Sequence, residues 1–369
     1  MAAEVVIDAR FVKTGLGRYT YNLLAGLAAR QNPDFAIRAI VQRGSADPIA
    51  SICGRLVVVD TPIYSLSEQI AILRAASGCD LLHVPHYNVP LLYRGRLLIS
   101  ISDLVHIMEP QVRRTAASWC YARPMLNLAA RKARHVITVS EYSKQQIVEH
   151  LRITPAKVSV IYNGVGPQFR VQDRQECARR VSQSLDVQGP FLLYVGNLKP
   201  HKNLGRLLQA LTLLRQRRLV DPKMLVVGED AKWKSGLVEE CARLGLQNAV
   251  RFVPYVSDEF LPVLYAAADL VILPSTLEGF GLPVAEAMAC GTPVACSNAA
   301  SLPEVGGDAV EYFDPYSVED MATAIERVLS SSSRQAELRQ KGLQQAARFR
   351  WKECVRRHAE IYRGLLGLN

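Results

Sequence analysis

Short apolar runs separated by helix-length stretches set the rhythm of this chain. The first is Val5-Val6-Ile7-Asp8, followed by Gly15-Leu16-Gly17-Arg18 and an apolar-periodic run from Tyr19 to Leu27, which reads as strand, glycine turn, helix. The second half restarts the plan with the run 191–195, then Gly196, a polar loop and a helical run from Leu204 to Leu214. Further strands are expected at 39–41, 56–59, 81–84, 97–101, 136–139 and 158–161, and again at 224–227, 250–253, 270–273 and 293–296. Two such beginnings predict an α/β protein of two Rossmann-like, doubly wound domains facing across a cleft. Asn163-Gly164 marks a turn before a polar stretch, so the domains are expected at 1–175 and 176–350, with 351–369 as a tail. The run 336–366 is helical in pattern, and 351–369 is expected to be a C-terminal helix.

The most telling stretch is Glu278-Gly279-Phe280-Gly281-Leu282-Pro283-Val284-Ala285-Glu286. Residues eight apart on one helix point about 80° apart, and Gly279, Gly281 and Pro283 argue against a continuous helix. Glu278 is therefore expected in a loop, and Glu286 on a helix that Pro283 opens at its first position. The amides and dipole at that helix start favour a phosphate, and each carboxylate can accept two hydroxyl hydrogen bonds. A glutamate near a helix start is often only a solvated acidic cap. Here the preceding apolar run ends at Pro274-Ser275, which puts the motif at the C-terminal end of a strand, where open α/β sheets bind ligands. The pair fits a nucleotide sugar.

In this motif the sequence resembles the retaining GT-B glycosyltransferases of family 4, whose signature is a Glu, seven residues and a Glu, and the resemblance runs over nearly the whole chain. It implies a GT-B fold with an N-terminal acceptor-binding domain, a C-terminal nucleotide-sugar-binding domain and a tail crossing back to the first domain. By the same resemblance Glu278 binds donor-sugar hydroxyls, Glu286 the ribose, and the loop Gly279-Phe280-Gly281-Leu282 the donor or its phosphates through backbone amides. Lys199-Pro200-His201-Lys202 follows the strand opening the second half, and Lys202 is assigned to the diphosphate, since a fixed ammonium stabilises a leaving nucleoside diphosphate without a metal. Asn197 stands where the family carries Arg, so Lys199 and His201 are candidates to compensate. Gly15 and Gly17 match the family's first glycine loop and would let backbone approach the diphosphate. A nicotinamide site is disfavoured, because the third glycine and an acidic end to the next strand are missing. Gly228, Tyr255 and Val256 lie at strand ends suited to enclosing a nucleobase.

His83 and His86 sit beside Tyr87 and Asn88 at another strand end, where imidazoles can donate to sugar hydroxyls. Ser102 occupies the position of the family's sugar-contacting His, so Asp103, His106 and His86 are candidates to stand in for it. Ser140 reads as a helix cap.

Composition narrows the partners. The 369 residues carry a net charge of +10, which suits an anionic ligand or surface, yet no zinc-finger, RNA-recognition or basic-zipper pattern supports nucleic acid. The eight cysteines are scattered without Cys-x-x-Cys spacing and read as reduced core thiols. No run approaches the ~18 to 20 apolar residues of a membrane span, and no signal pattern opens the chain, so a cytoplasmic protein is expected. The segment 113–126 mixes Arg113, Arg114 and Arg123 with Trp119 and Tyr121, as membrane-surface helices do, which allows a peripheral position at the inner face of the cytoplasmic membrane. The expected activity is retaining transfer of a hexosyl group from a nucleotide diphosphate sugar to a saccharide or polyprenyl-linked saccharide, with neither metal nor other cofactor. GDP-mannose is favoured because Ile7-Asp8-Ala9-Arg10, Gly15-Leu16-Gly17-Arg18-Tyr19 and Glu278 to Pro283 resemble bacterial polysaccharide mannosyltransferases. The alternatives are a UDP-sugar-dependent transferase of the same fold or a non-catalytic relative that binds nucleotide sugars or anionic polymers. An epimerase would want Tyr-x-x-x-Lys and a full dinucleotide loop, neither of which is evident.

Overall fold

The computed structural model describes residues 2–11, 17–30, 34–109, 116–217 and 223–368. Contacts divide the chain into two compact units, Met1–Gly164 with Arg350–Asn369, and Val165–Phe349.

The first unit is built on a parallel sheet of β1 (Ala3–Asp8), β2 (Phe35–Val41), β3 (Leu56–Val58), β4 (Leu81–Val84), β5 (Arg96–Ser100), β6 (His135–Thr138) and β7 (Val158–Val160), in the order β3-β2-β1-β4-β5-β6-β7. Val5, Val6 and Ile7 are wholly buried because helices cover both faces of the central strand, which explains an unbroken apolar run where a half-exposed strand would alternate. Val5 and Ile7 pack with Leu23, Leu24 and Leu27 of the Gly17–Ala29 helix and Val355 and Tyr362 of the Trp351–Leu366 helix. Val6 faces Ile72, Leu126 and Ile147 on the other side. Sheet growth reverses between β1 and β4.

The C-terminal helix is tied into this unit by a buried polar chain. The His358 Nδ1–H donates to the Cys354 carbonyl at 2.7 Å, which fixes the order of every donor behind it. Tyr19 donates its hydroxyl proton to His358 Nε2 (2.7 Å), Ser100 donates to the Tyr19 oxygen (2.8 Å), His83 Nε2–H to Ser100 Oγ (2.8 Å), and the Tyr362 hydroxyl to His83 Nδ1 (2.7 Å). Every link is satisfied only while both imidazoles are neutral. Burial holds the His83 pKa well below its ordinary value and pushes His358 down to about 4. A histidine kept neutral in the fold binds fewer protons than in the unfolded chain, so its stabilisation is complete above pH ~6.5 and is lost as the pH falls towards 4. Urea denaturation should therefore show the first unit about 2 kcal/mol less stable at pH 5.0 than at pH 7.5 from His358 alone, before carboxylates titrate. Equal midpoints at the two pH values would contradict this relay.

The second unit carries β8 (Phe191–Val195), β9 (Lys223–Val227), β10 (Val250–Val253), β11 (Leu270–Leu273), β12 (Val294–Ser297) and β13 (Glu311–Phe313), all parallel, in the order β10-β9-β8-β11-β12-β13. Its reversal lies between β8 and β11.

Four local expectations change. β13 has no apolar run to announce it, since Glu311 is buried in ion pairs with Arg327 and Arg334. The run 336–366 is two helices, Ser332–Ala346 and Trp351–Leu366, broken where Phe349 packs edge-on against Phe280 with centroids 5.3 Å apart. The division falls at 164/165 and 349/350 instead of 175/176 and 350/351, because the segment before the Arg174–Leu185 helix packs Phe169 against Tyr265 of the second unit. Finally, no turn forms at Asn163-Gly164: a Cβ at Gly164 would lie 2.2 Å from Trp351 N, so the glycine admits the backbone of the returning tail.

Candidate active site

In the second unit the site grows from the ends of β8 and β11. After β8, the Tyr194 hydroxyl donates to the Asn197 carbonyl at 2.6 Å, and Asn197 Oδ1 accepts from the Lys199 N–H at 3.3 Å. Burial first, then the charge of Glu278, holds Tyr194 well above its ordinary pKa, so it remains a donor. The turn Pro200–Lys202 follows, and the amide of Asn203 pins it by donating to the carbonyls of Pro274 and Pro315. The His201 carbonyl accepts from the Thr276 N–H at 2.8 Å, joining the two strand-end loops, while the His201 ring is buried.

Those joints bring Lys202 to Glu278. Nζ lies 2.5 Å from Glu278 Oε1, both side chains are only 11% exposed, and Ser275 Oγ donates to the same oxygen at 2.7 Å. Ser301 Oγ spans the carbonyls of Glu278 (3.0 Å) and Phe280 (2.9 Å), setting the loop between them. Gly281 then takes φ +100°, a left-handed conformation open to glycine, and caps the Leu282–Ala289 helix. Leu282, not Pro283, is its first residue. Pro283 has no N–H and the Val284 N–H is used by the Gly281 carbonyl (3.0 Å), so the amides of Gly281 and Leu282 are the donors this helix start offers an anion. Glu286, 3% exposed, lies one turn in and accepts from the Tyr265 hydroxyl at 3.0 Å. Gly228 ends β9 with its N–H on the Val253 carbonyl, Val256 is half-buried, and Tyr255 is exposed.

The first unit carries a second cluster one strand beyond its own reversal. Pro85, His86, Tyr87, Ser100, Ile101, Ser102, Asp103 and His106 line a recess of about 130 Å³ at the ends of β4 and β5. His86 is sandwiched between Phe11 (4.4 Å) and Tyr87 (4.1 Å), and its Nδ1 accepts from the Asn88 N–H, leaving the proton on Nε2, which donates to the Tyr64 hydroxyl oxygen at 3.4 Å. Burial, with the charges of His106 and Arg10, lowers its pKa to about 3, so it is a neutral donor. Asp103 Oδ1 accepts from the Val105 N–H at the start of the Val105–Met108 helix that carries the exposed His106. His83 does not join them: it is sealed into the tail relay, which separates the two histidines that the sequence pairs. Ser140 caps the Glu141–Leu151 helix, and Gly17 is the buried first residue of its helix. Gly15, Arg113 and Arg114 lie outside the described residues, while Arg123 is exposed on the Ala116–Lys132 helix.

Sequence reading missed an ion triad beneath the recess. Arg10 grips Asp8 with two bonds (Nε–Oδ1 2.9 Å, Nη2–Oδ2 2.7 Å) and meets Glu68 Oε1 at 2.7 Å, all three side chains having no solvent exposure. The available signal was Ser65-x-x-Glu68, a capping-box spacing, and Ser65 does cap the Leu66–Ala75 helix.

Comparison with known proteins covers both units. The model for glycosyl transferases group 1 matches residues 178–345, and that for glycosyltransferase family 4 matches residues 13–169. The O-antigen chain mannosyltransferase B of Escherichia coli is 34% identical across 96% of this chain and 97% of its own length. The serotype-specific mannosyltransferase WbdA of Escherichia coli is 30% identical across 64% of this chain but 29% of its own. Among solved structures, Anabaena HepE in complex with UDP-glucose matches 98% of this chain and 99% of that one with TM-score 0.80 at 21% identity, a likeness of fold.

Proposed function

Because the chain belongs to the GT-B glycosyltransferases of family 4, with bacterial polysaccharide mannosyltransferases among its relatives, we propose that it transfers mannose from GDP-mannose to a saccharide during polysaccharide assembly, with retention of anomeric configuration. The observation carrying this reading is the Lys202–Glu278–Ser275 cluster beside a helix start at the β8/β11 reversal. The Lys202 ammonium would exchange its partner for the donor's diphosphate and stabilise the charge released as the glycosidic bond breaks. Glu278, held by Ser275 through one oxygen, keeps its other oxygen for donor-sugar hydroxyls. Glu286, braced by Tyr265, takes the ribose, and the amides of Gly281 and Leu282 take phosphate oxygens. In front-face attack the leaving phosphate oxygen accepts the acceptor's hydroxyl proton, so no protein base is required. With an ammonium and helix amides facing the diphosphate, turnover needs no divalent metal.

The acceptor is proposed to be free or polyprenyl-linked, and the latter would bring the basic 113–126 segment to an anionic membrane surface. No described helix is long and apolar enough to cross one. Incubating the protein with GDP- and UDP-sugars and octyl glycosides in excess chelator tests the whole reading. GDP release from GDP-mannose with an α-linked product is expected. Strict manganese dependence, a β-linked product or release of UDP alone would each remove the corresponding part.

A further inference from the structure

The Asp8–Arg10–Glu68 triad takes no part in the chemistry above, yet burying three charges is expensive. Through Glu68 it holds two residues in place, Tyr64 and Asn88. Glu68 Oε2 accepts from the Tyr64 N–H at 2.5 Å and from Asn88 Nδ2 at 2.8 Å. Tyr64 adopts φ +68°, a left-handed conformation that bulky side chains rarely take, and the residue is 49% exposed. That ring stands 6.0 Å from His86 and 6.5 Å from Tyr87, tilted only 28° from the latter, and both neighbours line the recess. A buried ionic anchor thus keeps an unfavourable backbone geometry that presents an aromatic face to solvent beside a polar recess. Strain of this kind gathers at ligand sites.

We propose that Tyr64 is the platform on which a pyranose ring of the acceptor saccharide lies, with Ser102 and Asp103 meeting its hydroxyls. A sugar ring has an apolar C–H face and an edge of hydroxyls, which matches an aromatic face standing next to mixed donors and acceptors. The recess lining holds no Lys or Arg and includes Asp103, so it suits an uncharged ligand and disfavours a diphosphate. This rests on the glycosyl-transfer reading and adds to it the acceptor's contact surface and a residue that sets acceptor affinity.

The test uses the full chain with octyl mannoside, glucoside, galactoside and N-acetylglucosaminide, their binding followed by saturation-transfer NMR, and GDP and UDP binding followed by calorimetry on the same samples. Wild type should bind at least one glycoside, and Tyr64→Phe, which keeps the ring, should bind it comparably. Tyr64→Ala and Tyr64→Gly should each weaken it about tenfold, the worth of one aromatic contact, with nucleotide affinity at the wild-type value. Tyr64→Gly relaxes the backbone, so a loss shared by both variants assigns the effect to the ring. Binding by no glycoside in wild type, unchanged affinity in both truncations, or recovery in Tyr64→Gly alone would overturn the proposal. Wild type that binds glycoside but neither nucleotide would support the Tyr64 platform while overturning the transfer reading.

Discussion

Lys202→Ala is expected to lower kcat by ~10²- to 10³-fold, about 3 to 4 kcal/mol of transition-state stabilisation, the scale of removing one preorganised charge contact. The effect should be large because the ammonium is already positioned: its side chain is 11% exposed, the Pro200–Lys202 turn is tied to Thr276 through the His201 carbonyl, and Glu278 holds it at 2.5 Å. Lys202→Arg should recover little, since a planar fork cannot occupy the place of a compact ammonium beside Ser275. Initial rates of nucleotide release with saturating donor read the outcome. Turnover close to wild type in Lys202→Ala would move the diphosphate contact to Lys199 or His201.

Arg10→Met should destabilise the first unit by about 3 to 5 kcal/mol, because it leaves the carboxylates of Asp8 and Glu68 buried beside each other with no cation. Methionine replaces the aliphatic stem but not the guanidinium, so the loss combines the missing charge with the space that group leaves. Hydrogen exchange can localise it to β1 and the Leu66–Ala75 helix. A loss below about 1 kcal/mol would mean that the two carboxylates relax to water once the cation is gone, and that the triad adds no more than a surface ion pair would.

Much of this organisation is legible from apolar runs. Twelve of the thirteen strands among the described residues announce themselves that way, and the site in the second unit follows from Glu278, Gly281 and Glu286 because a loop, a cap and a helix start are local events. The features that stayed hidden are non-local or run against local preference. Glu311 looks like a surface residue until Arg327 and Arg334, from later helices, cover its charge. Nothing in a single sequence says that Arg10 meets Glu68, 58 positions away, or that His83 and His86, three apart, part company because Tyr362 returns to claim the first. Tyr64 carries no glycine or asparagine signal for its positive φ, since the geometry is imposed by Glu68. The break at Phe349 likewise lacks Gly or Pro, and is set by the aromatic contact with Phe280.

The return of Arg350–Asn369 to the first unit has a consequence for synthesis. Residues 165–349 form a continuous unit that can close as soon as it leaves the ribosome, whereas the first unit must wait for residues 350–369 to supply Val355, His358 and Tyr362. Residues 1–164 are therefore made before 165–349 but completed after them, and until then Leu23, Leu24 and Leu27 lack part of their cover. Nascent chains stalled before Trp351 should be the form of this protein that chaperones hold, which inverts the usual N-terminal-first order of domain folding.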